Sequence, residues 1–387
     1  MSTLDATVYE SSSLQGSYAW TDTLKGIQYG PGCLETALPK FLGVLGAKKA
    51  LIVTSKSLVQ KTDVIKRVEA VLVKHDAYGG LFWEIGEHAP VAGIHAAVKL
   101  FKEAKADVIV AVGGGSPIDA SKAILYYVQQ ERGGPTPKQI AIPTTLSAAE
   151  YTIGAGYTDE NGVKTAVSSQ ELAPAAIILD AQLTLSTPDR LWLSTGIKAL
   201  DHAVEHLYRP LTPPPMKYLC YAAIQELFKY LPLTKADPQD VAVRQKLQLA
   251  SWMSLWPKRP ERYAALGLSH SIGHKIGAAY GIPHGITSCI TLASVVAVMA
   301  ENASDEDKEW LSDTLFYLRK PSTGSREKDI LALSTAIQEL IDSLDLKCTL
   351  SQYKVPKEDL PQIAEKSLGR PNDPLHPRIV NLLEALY

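Results

Sequence analysis

The sequence predicts an α/β fold, a doubly wound and mostly parallel sheet, followed by an all-α half. Three observations lead there. Between about Gly26 and Asp180, short apolar β-branched runs alternate with amphipathic helical stretches. Runs such as "DVIVAV" are apolar without alternation, as strands of a parallel sheet covered on both faces must be. After "DAQLTLSTPDRLWLSTG" the texture changes to long helical periodicities, with almost no strand signal as far as the C-terminal "PRIVNLLEALY".

Taken in order, "KALIVTS" reads as a strand, "TDVIKRVEAVLVKH" and "GIHAAVKLFKEAKA" as helices, and "DVIVAVGGGS" as a strand running into a turn. "SKAILYYVQQ" then reads as a helix and "KQIAIPTT" as a strand. Strand-helix-strand units of this kind build an open sheet whose ligands bind beyond the carboxyl ends of the strands. Pro188 and the polar residues around it mark a boundary, so an α/β domain is expected over residues 1–187 and an all-α domain over residues 188–387. "RPLTPPPMKY" and "LRKPSTGSREKD" read as breaks between helices, and no internal repeat is seen.

The composition bounds the function. A chain of 387 residues, 46% hydrophobic, has enough apolar material for two cores. A formal charge of -2 gives no electrostatic reason to expect nucleic acid or an anionic membrane, so a small molecule is the expected partner. Cys33, Cys220, Cys289 and Cys348 lie far apart without a CxxC pair, which points to reduced thiols and away from a disulfide framework or thiolate zinc site. The N-terminal segment lacks a basic region followed by an apolar run, and no stretch reaches the roughly eighteen consecutive apolar residues of a membrane span, so a cytoplasmic location is expected.

"VIVAVGGGSPIDASKA" places Gly113, Gly114 and Gly115 at the end of an apolar strand, followed by Ser116, Pro117 and a helix from about Ile118. Glycines let the backbone turn tightly against a ligand, and the helix start offers free N–H groups and a positive dipole end to a phosphate. A tight turn without a ligand would read the same way. Two further features add weight: "IPTT" brings Thr144 and Thr145 to the same sheet edge, and "TDENGVKT" has an Asn161-Gly162 turn signal followed by Lys164.

"GGGSPIDASKA", "IPTTLSAAEYT", "DENGVKT", "LAPAAIILDAQLTLSTP", "TGIKALDHAVEHLY" and "LSHSIGHKIGAAYGIPHG" occur in the order found in the iron-containing, or group III, alcohol dehydrogenases. The chain resembles that family from about Tyr29 to its C-terminus, and "PTTLSAAE" and "ENGVKT" look most like its maleylacetate reductase branch. The resemblance implies the fold shared with dehydroquinate synthase, a homodimer, and NAD or NADP held between the two domains. It assigns the pyrophosphate to Gly113, Gly114, Gly115, Ser116 and Pro117, with Asp119 opening the helix, and the path toward ribose and nicotinamide to Thr144, Thr145 and Lys164. NAD-selective members tend to carry an aspartate after the strand "ALIVT", where this chain has Ser55; a serine does not repel a 2'-phosphate, and Lys56 lies beside it, so NADP is expected to be accepted and preferred.

In metal-bearing members one aspartate and three histidines hold iron or zinc. Here the histidine positions are His202, His270 and His284, the last fourteen residues after His270 in "YGIPHG", but the aspartate position is Lys198. An ammonium has no lone pair to donate and repels a divalent cation. Three readings stand for Lys198. The metal is lost and the ammonium stabilises the alkoxide formed by hydride transfer; or Lys198 turns away and a three-histidine site survives, helped by Asp201; or Lys198 forms a plain salt bridge with Asp201. At about 100° per residue, Asp201 and His202 diverge by about 100° around the helix and do not easily grip one ion. His274, one turn after His270, takes the family's proton-relay position. Lys198, His202 and His206 are expected on the face opposite the apolar stripe Ile197, Leu200, Val204 and Leu207, toward solvent or a cleft, which makes His206 a candidate substrate contact.

The expected activity is reduction of a small ketone, enone or oxo acid by NAD(P)H, without a metal, with Lys198, His202, His270, His274 and His284 as the catalytic group. The alternatives are a redox-neutral cyclisation, dehydration or isomerisation using Lys198, and a metal-dependent alcohol dehydrogenase with iron or zinc on His202, His270 and His284.

Overall fold

The computed structural model describes residues 23–85, 91–158, 164–255 and 266–387. In chain order the strands are β1 (Gly26–Tyr29), β2 (Ala50–Val53), β3 (Tyr78–Phe82), β4 (Val108–Gly113), β5 (Lys138–Pro143), β6 (Gly154–Thr158), β7 (Lys164–Ser168) and β8 (Ala176–Leu179). Six of them form one parallel sheet in the order β1-β8-β5-β4-β2-β3. The remaining two, β6 and β7, pair antiparallel with Thr158 opposite Lys164, on either side of the 161–162 turn signal, which lies outside the described residues.

Helices α1 (Leu34–Leu45), α2 (Lys56–Lys61), α3 (Val64–Lys74), α4 (Val91–Glu103) and α5 (Gly115–Arg132) connect these strands. The unbroken apolar character of β4 follows from its position. Val108, Val110 and Val112 pack with α1 and α3 on one face of the sheet, while Ile109 and Ala111 pack with α4 and α5 on the other. From β2 the chain steps outward to β3, then returns past β2 to β4 and on to β5. The winding therefore reverses between β2 and β4, and the carboxyl ends of these two strands lead into Ser55 and the glycine turn.

From Asp189 onward the described residues are helical apart from connections: α6 (Asp189–Tyr208), α7 (Pro214–Ala236), α8 (Val241–Ser254), α9 (Leu268–Tyr280), α10 (His284–Asn302), α11 (Asp305–Ser312), α12 (Thr314–Tyr317), α13 (Arg326–Ser343), α14 (Leu360–Leu368) and α15 (His376–Ala385). Their core runs through Trp192, Ile197 and Leu200 of α6, Tyr221 and Leu227 of α7, and Ile290 and Val296 of α10. Helix α10 is long and apolar enough to cross a membrane, but 72% of its apolar window is buried inside the protein, where it serves this core. Helix α8 ties the helices to the sheet: Gln248 Nε2 donates to Pro143 O (3.4 Å), Ser251 Oγ to Leu146 O (3.2 Å) and Arg244 Nη1 to Thr184 O (2.8 Å).

Candidate active site

The glycine turn is built where β4 meets α5. Gly113 has φ +139°, a conformation that disfavours any side chain, and a Cβ there would stand 2.9 Å from Pro117 Cγ. A Cβ on Gly114 would meet Thr145 Cγ2 at 3.1 Å, so the turn lies flush against the threonine segment after β5. Thr144 N donates to Gly113 O (2.9 Å) and Thr187 Oγ1 donates to Thr144 O (2.7 Å), which locks the two carboxyl-end loops together. No side chain caps the start of α5, and Ser116 in its first turn is exposed. These residues fit a dinucleotide: uncapped helix amides, a turn without side chains and two threonines beside it make an anion cradle.

Ser55 stands at the end of β2 as the N-cap position of α2, its Oγ 3.1 Å from Ser57 Oγ, and Lys56 is exposed beside it. Lys164 opens β7; its side chain lies outside the described residues. Asp119 is engaged by a residue that sequence reasoning passed over. Lys122 is fully buried, and its Nζ donates to Asp119 Oδ1 (2.9 Å), Ala149 O (2.8 Å), Thr152 Oγ1 (2.6 Å) and Gly154 O (3.1 Å). One ammonium thus fastens the segment after Thr145 onto α5. The available signal was a lysine three residues after an aspartate on the otherwise apolar "DASKAIL" helix.

Helix α6 crosses the opening of this edge. Leu146 N donates to Thr195 Oγ1 (3.1 Å), and one turn later Lys198 stands half-buried. Among the described residues no hydrogen bond or ion pair closes on Lys198. Burial pushes its ammonium below the usual lysine range, opposed by the charges of Asp119, Glu150 and Asp201. The salt bridge to Asp201, one of the three readings, is absent from the described contacts, because Asp201 is used elsewhere.

That use is a buried cluster between α6 and the start of α9. Glu205 Oε1 accepts from Ser269 N (2.7 Å), His270 N (3.3 Å) and Tyr208 Oη (3.2 Å), while its Oε2 lies 2.8 Å from His270 Nδ1. Asp201 Oδ2 accepts from Ser269 Oγ (2.9 Å), and Oδ1 lies 3.4 Å from the same His270 nitrogen. Glu205 therefore caps α9 from another helix and fixes which face His270 turns. Burial opposes charge on His270, yet Asp201 and Glu205 together hold it up to about 9; burial, then Asp201, likewise pushes Glu205 up. His202 moves the other way, well below the usual histidine range, through burial first and then the neighbouring His270 and Lys198.

The histidines predicted to meet do meet. The rings of His202 and His270 stack at 4.6 Å with planes 22° apart, His270 and His284 stand edge to face at 6.0 Å, and His274 and His284 are 4.8 Å apart. His274 is exposed and His284 half-buried. His202 Nδ1 and His270 Nε2 are buried without a hydrogen-bond partner. His206 differs from expectation. It is buried rather than on an open face, with Nδ1 donating to His202 O (2.6 Å) and Nε2 accepting from Arg209 Nη1 (2.9 Å). The polar face of α6 is sealed by such pairings, so its polarity does not mark solvent.

The same geometry bears on a metal. Imidazole donates in its ring plane, and two stacked, near-parallel rings cannot both aim that plane at one ion. Asp201, Glu205 and His270 do bring donor atoms within 4.8 Å of one another, but Asp201 Oδ2 and both Glu205 oxygens are already engaged by Ser269, His270 and Tyr208, which leaves only Asp201 Oδ1 without a hydrogen bond. As arranged, these side chains and the Lys198 ammonium do not fit an ion bound by His202, His270 and His284.

Residues 25–181 match the family model for iron-containing alcohol dehydrogenase, and residues 192–387 match the C-terminal model of the Fe-containing alcohol dehydrogenase family. Over 237 residues, 61% of the chain, it is 30% identical to the maleylacetate reductase of Rhizobium sp. strain MTP-10005, spanning 63% of that protein. Over 343 residues it is 25% identical to maleylacetate reductase 1 of Cupriavidus pinatubonensis, covering 88% of each chain. With the first reductases it matches, the alignment thus spans less than two thirds of the relative's length. The alcohol dehydrogenase of Oenococcus oeni superposes with a TM-score of 0.86 at 23% identity, over 96% of this chain and 100% of that one.

Proposed function

Because the chain belongs to the iron-containing alcohol dehydrogenase family, we propose that it is an NAD(P)H-dependent oxidoreductase that reduces a small ketone, enone or oxo acid without a bound metal. The observation that carries this reading is the position of Lys198. It lies one turn after Thr195, whose hydroxyl accepts from Leu146 N just beyond the threonine segment, and one turn before His202, so the nucleotide cradle and the histidine cluster adjoin at one ammonium.

A bound reduced nicotinamide would supply the hydride. The chain's own residues do the rest. Gly113, Gly114, Gly115 and Ser116 seat the pyrophosphate at the start of α5, with Pro117 shaping the turn and Thr144 and Thr145 closing beside it. Lys198 and the His270 imidazolium set positive charge where the carbonyl oxygen becomes negative, and in a site shielded from water such charge is worth several kcal/mol of barrier. The free His202 Nδ1 and His270 Nε2 remain for hydrogen bonds to substrate, and exposed His274 exchanges a proton with solvent. Ser55, with no carboxylate of its own to repel a 2'-phosphate, supports use of NADP.

The test is NAD(P)H oxidation with a panel of oxo acids, ketones and aldehydes, before and after chelation. Turnover that survives the chelator, with kcat/KM higher for NADPH, is expected. Complete loss with chelator overturns the metal-free part, and a strong NADH preference overturns the Ser55 part.

A further inference from the structure

Resting on the reductase reading above, we propose that Glu150 is the proton reservoir of Lys198: its buried carboxyl restores, through a bridging water or hydroxyl, the proton that Lys198 gives to the substrate oxygen. Glu150 lies in the short helical turn Ala149–Tyr151, just after the threonine segment, and is 2% exposed. Its Oε2 has no hydrogen-bond partner, nor does the buried Ser147 Oγ, and the buried hydroxyl of its neighbour Tyr151 stands against it. A carboxyl oxygen left without a partner in a protein interior is costly unless something in the working state engages it.

The surroundings say what that is. Lys122 pins the backbone on both sides of Glu150, at Ala149 O and Gly154 O, yet its ammonium bonds Asp119 and not Glu150. Leu146 is hydrogen-bonded to Thr195 of α6, which brings the segment against the turn that carries Lys198. Glu150 and Lys198 each act on the charge of the other, and no hydrogen bond or ion pair joins them among the described residues. The groups facing Glu150 are Lys122 and Asp119 of α5, Lys198 of α6 and its own neighbour Tyr151. Burial is the largest influence and pushes the carboxyl up to about 7, so it carries its proton in slightly acid solution.

The proton balance closes. As the carbonyl carbon gains the hydride, the C=O electron pair moves to oxygen, and that oxygen takes a proton from Lys198 Nζ. The amine so formed takes a proton from the Glu150 carboxyl, and the resulting carboxylate recovers one from bulk water. One proton is consumed per carbonyl reduced.

Two measurements test the proposal. In the full-length enzyme, Glu150→Gln keeps the volume but cannot titrate. We expect kcat to fall at least tenfold with KM for the nucleotide unchanged, and the decline of kcat above about pH 7 to disappear. In a Lys198→Met background the same change should have no further effect. Unaltered kcat with an unaltered pH profile, or an equal fold-loss in both backgrounds, overturns the reservoir role. Carbon-13 NMR of glutamate carboxyls gives an answer independent of turnover: the resonance lost in Glu150→Gln should titrate near 7 and move higher in Lys198→Met. A titration in the ordinary carboxylate range, unmoved by Lys198→Met, overturns the coupling. Absence of carbonyl reduction by wild type together with the coupled titration would instead remove the reductase reading alone.

Discussion

Replacing Glu205 by alanine removes one carboxylate from the point where α6 and α9 are joined. The two amides at the start of α9, Ser269 N at 2.7 Å and His270 N at 3.3 Å, lose their acceptor, and His270 Nδ1 loses the nearer of its two carboxylates. Nothing else can move in cheaply. The packing is so close that even a Cβ on Gly267 would come within 2.6 Å of Glu205 Oε1. A buried donor without a partner costs about 1–3 kcal/mol, so two stranded amides cost about 4 kcal/mol, within the ~3–5 kcal/mol typical of breaking a buried charge pair from one side. At about 2 °C per kcal/mol for a large domain, the thermal midpoint should fall by about 8 °C. Glu205→Gln keeps an oxygen for the amides but turns an N–H toward His270 Nδ1, which must then accept, so the ring's proton shifts to Nε2. That variant should lose only about 1–2 kcal/mol yet lose catalytic activity, since the face of His270 presented to the cleft has changed. Differential scanning calorimetry and kcat for both variants decide the matter. A Glu205→Ala midpoint within a degree or two of wild type would refute the capping role, and a fully active Glu205→Gln would refute the orienting role.

Four further outcomes are expected. Gly113→Ala forces a Cβ against Pro117 Cγ at 2.9 Å in a left-handed conformation, and should weaken NADPH binding, read by fluorescence titration, at least tenfold with little change in the helical half. Lys122→Met takes the ammonium from Asp119 and from the backbone at Ala149 O and Gly154 O, although Thr152 still donates to both carbonyls, and should cost about 1–3 kcal/mol, seen as a lowered thermal midpoint and loosened hydrogen exchange over residues 149–154. His270, held up to about 9 from an ordinary 6.5, keeps in the folded state a proton the unfolded chain releases, so its contribution is full below about pH 6.5 and is lost as pH rises through about 9. Removing Glu205 takes away one of the two carboxylates that hold that proton, so midpoints measured by circular dichroism between pH 6 and 9.5 should fall more steeply for wild type than for Glu205→Ala. Lys198→Asp should gain zinc or iron affinity over wild type by mass spectrometry and calorimetry; equal metal content in both would separate Lys198 from the question of metal.

The buried strands were legible because burial on both faces leaves its mark in composition: "DVIVAV" and "KQIAIP" can be little else. Strands β1 and β3 were not, since both lie at sheet edges and β3 is "YGGLF", whose two glycines suppress the apolar signal. The gathering of His202, His270, His274 and His284 followed from spacing and resemblance. The buried pairings did not. A helix face bearing Lys198, Asp201, His202, Glu205 and His206 reads as solvent-facing by polarity alone, and only the partners contributed by α9, Ser269 and His270, turn it into an interior. Lys122 and Glu150 escaped for the same reason: nothing local tells a surface charge from one whose counterpart arrives from a distant segment.

On the metal-free reading, the charge at the reacting oxygen is conserved although its carrier changes. A divalent ion held by one aspartate and neutral histidines presents a net formal charge of about one positive unit, and an ammonium in the aspartate's place presents the same. Adding an ion beside Lys198 would triple it, and at about 4 Å in an effective dielectric near 20 a divalent charge and an ammonium repel by about 8 kcal/mol. The remaining side chains balance the charges around that ammonium. Asp201 and Glu205 stabilise an imidazolium at His270, burial leaves His202 neutral, and Asp119 offsets the burial of Lys198 from the nucleotide side. A lone lysine exchanged into a metal site would be an unpaired buried charge; the charges of Asp119 and Asp201 oppose the burial of this one, so the exchange at residue 198 and its surroundings form one electrostatic arrangement.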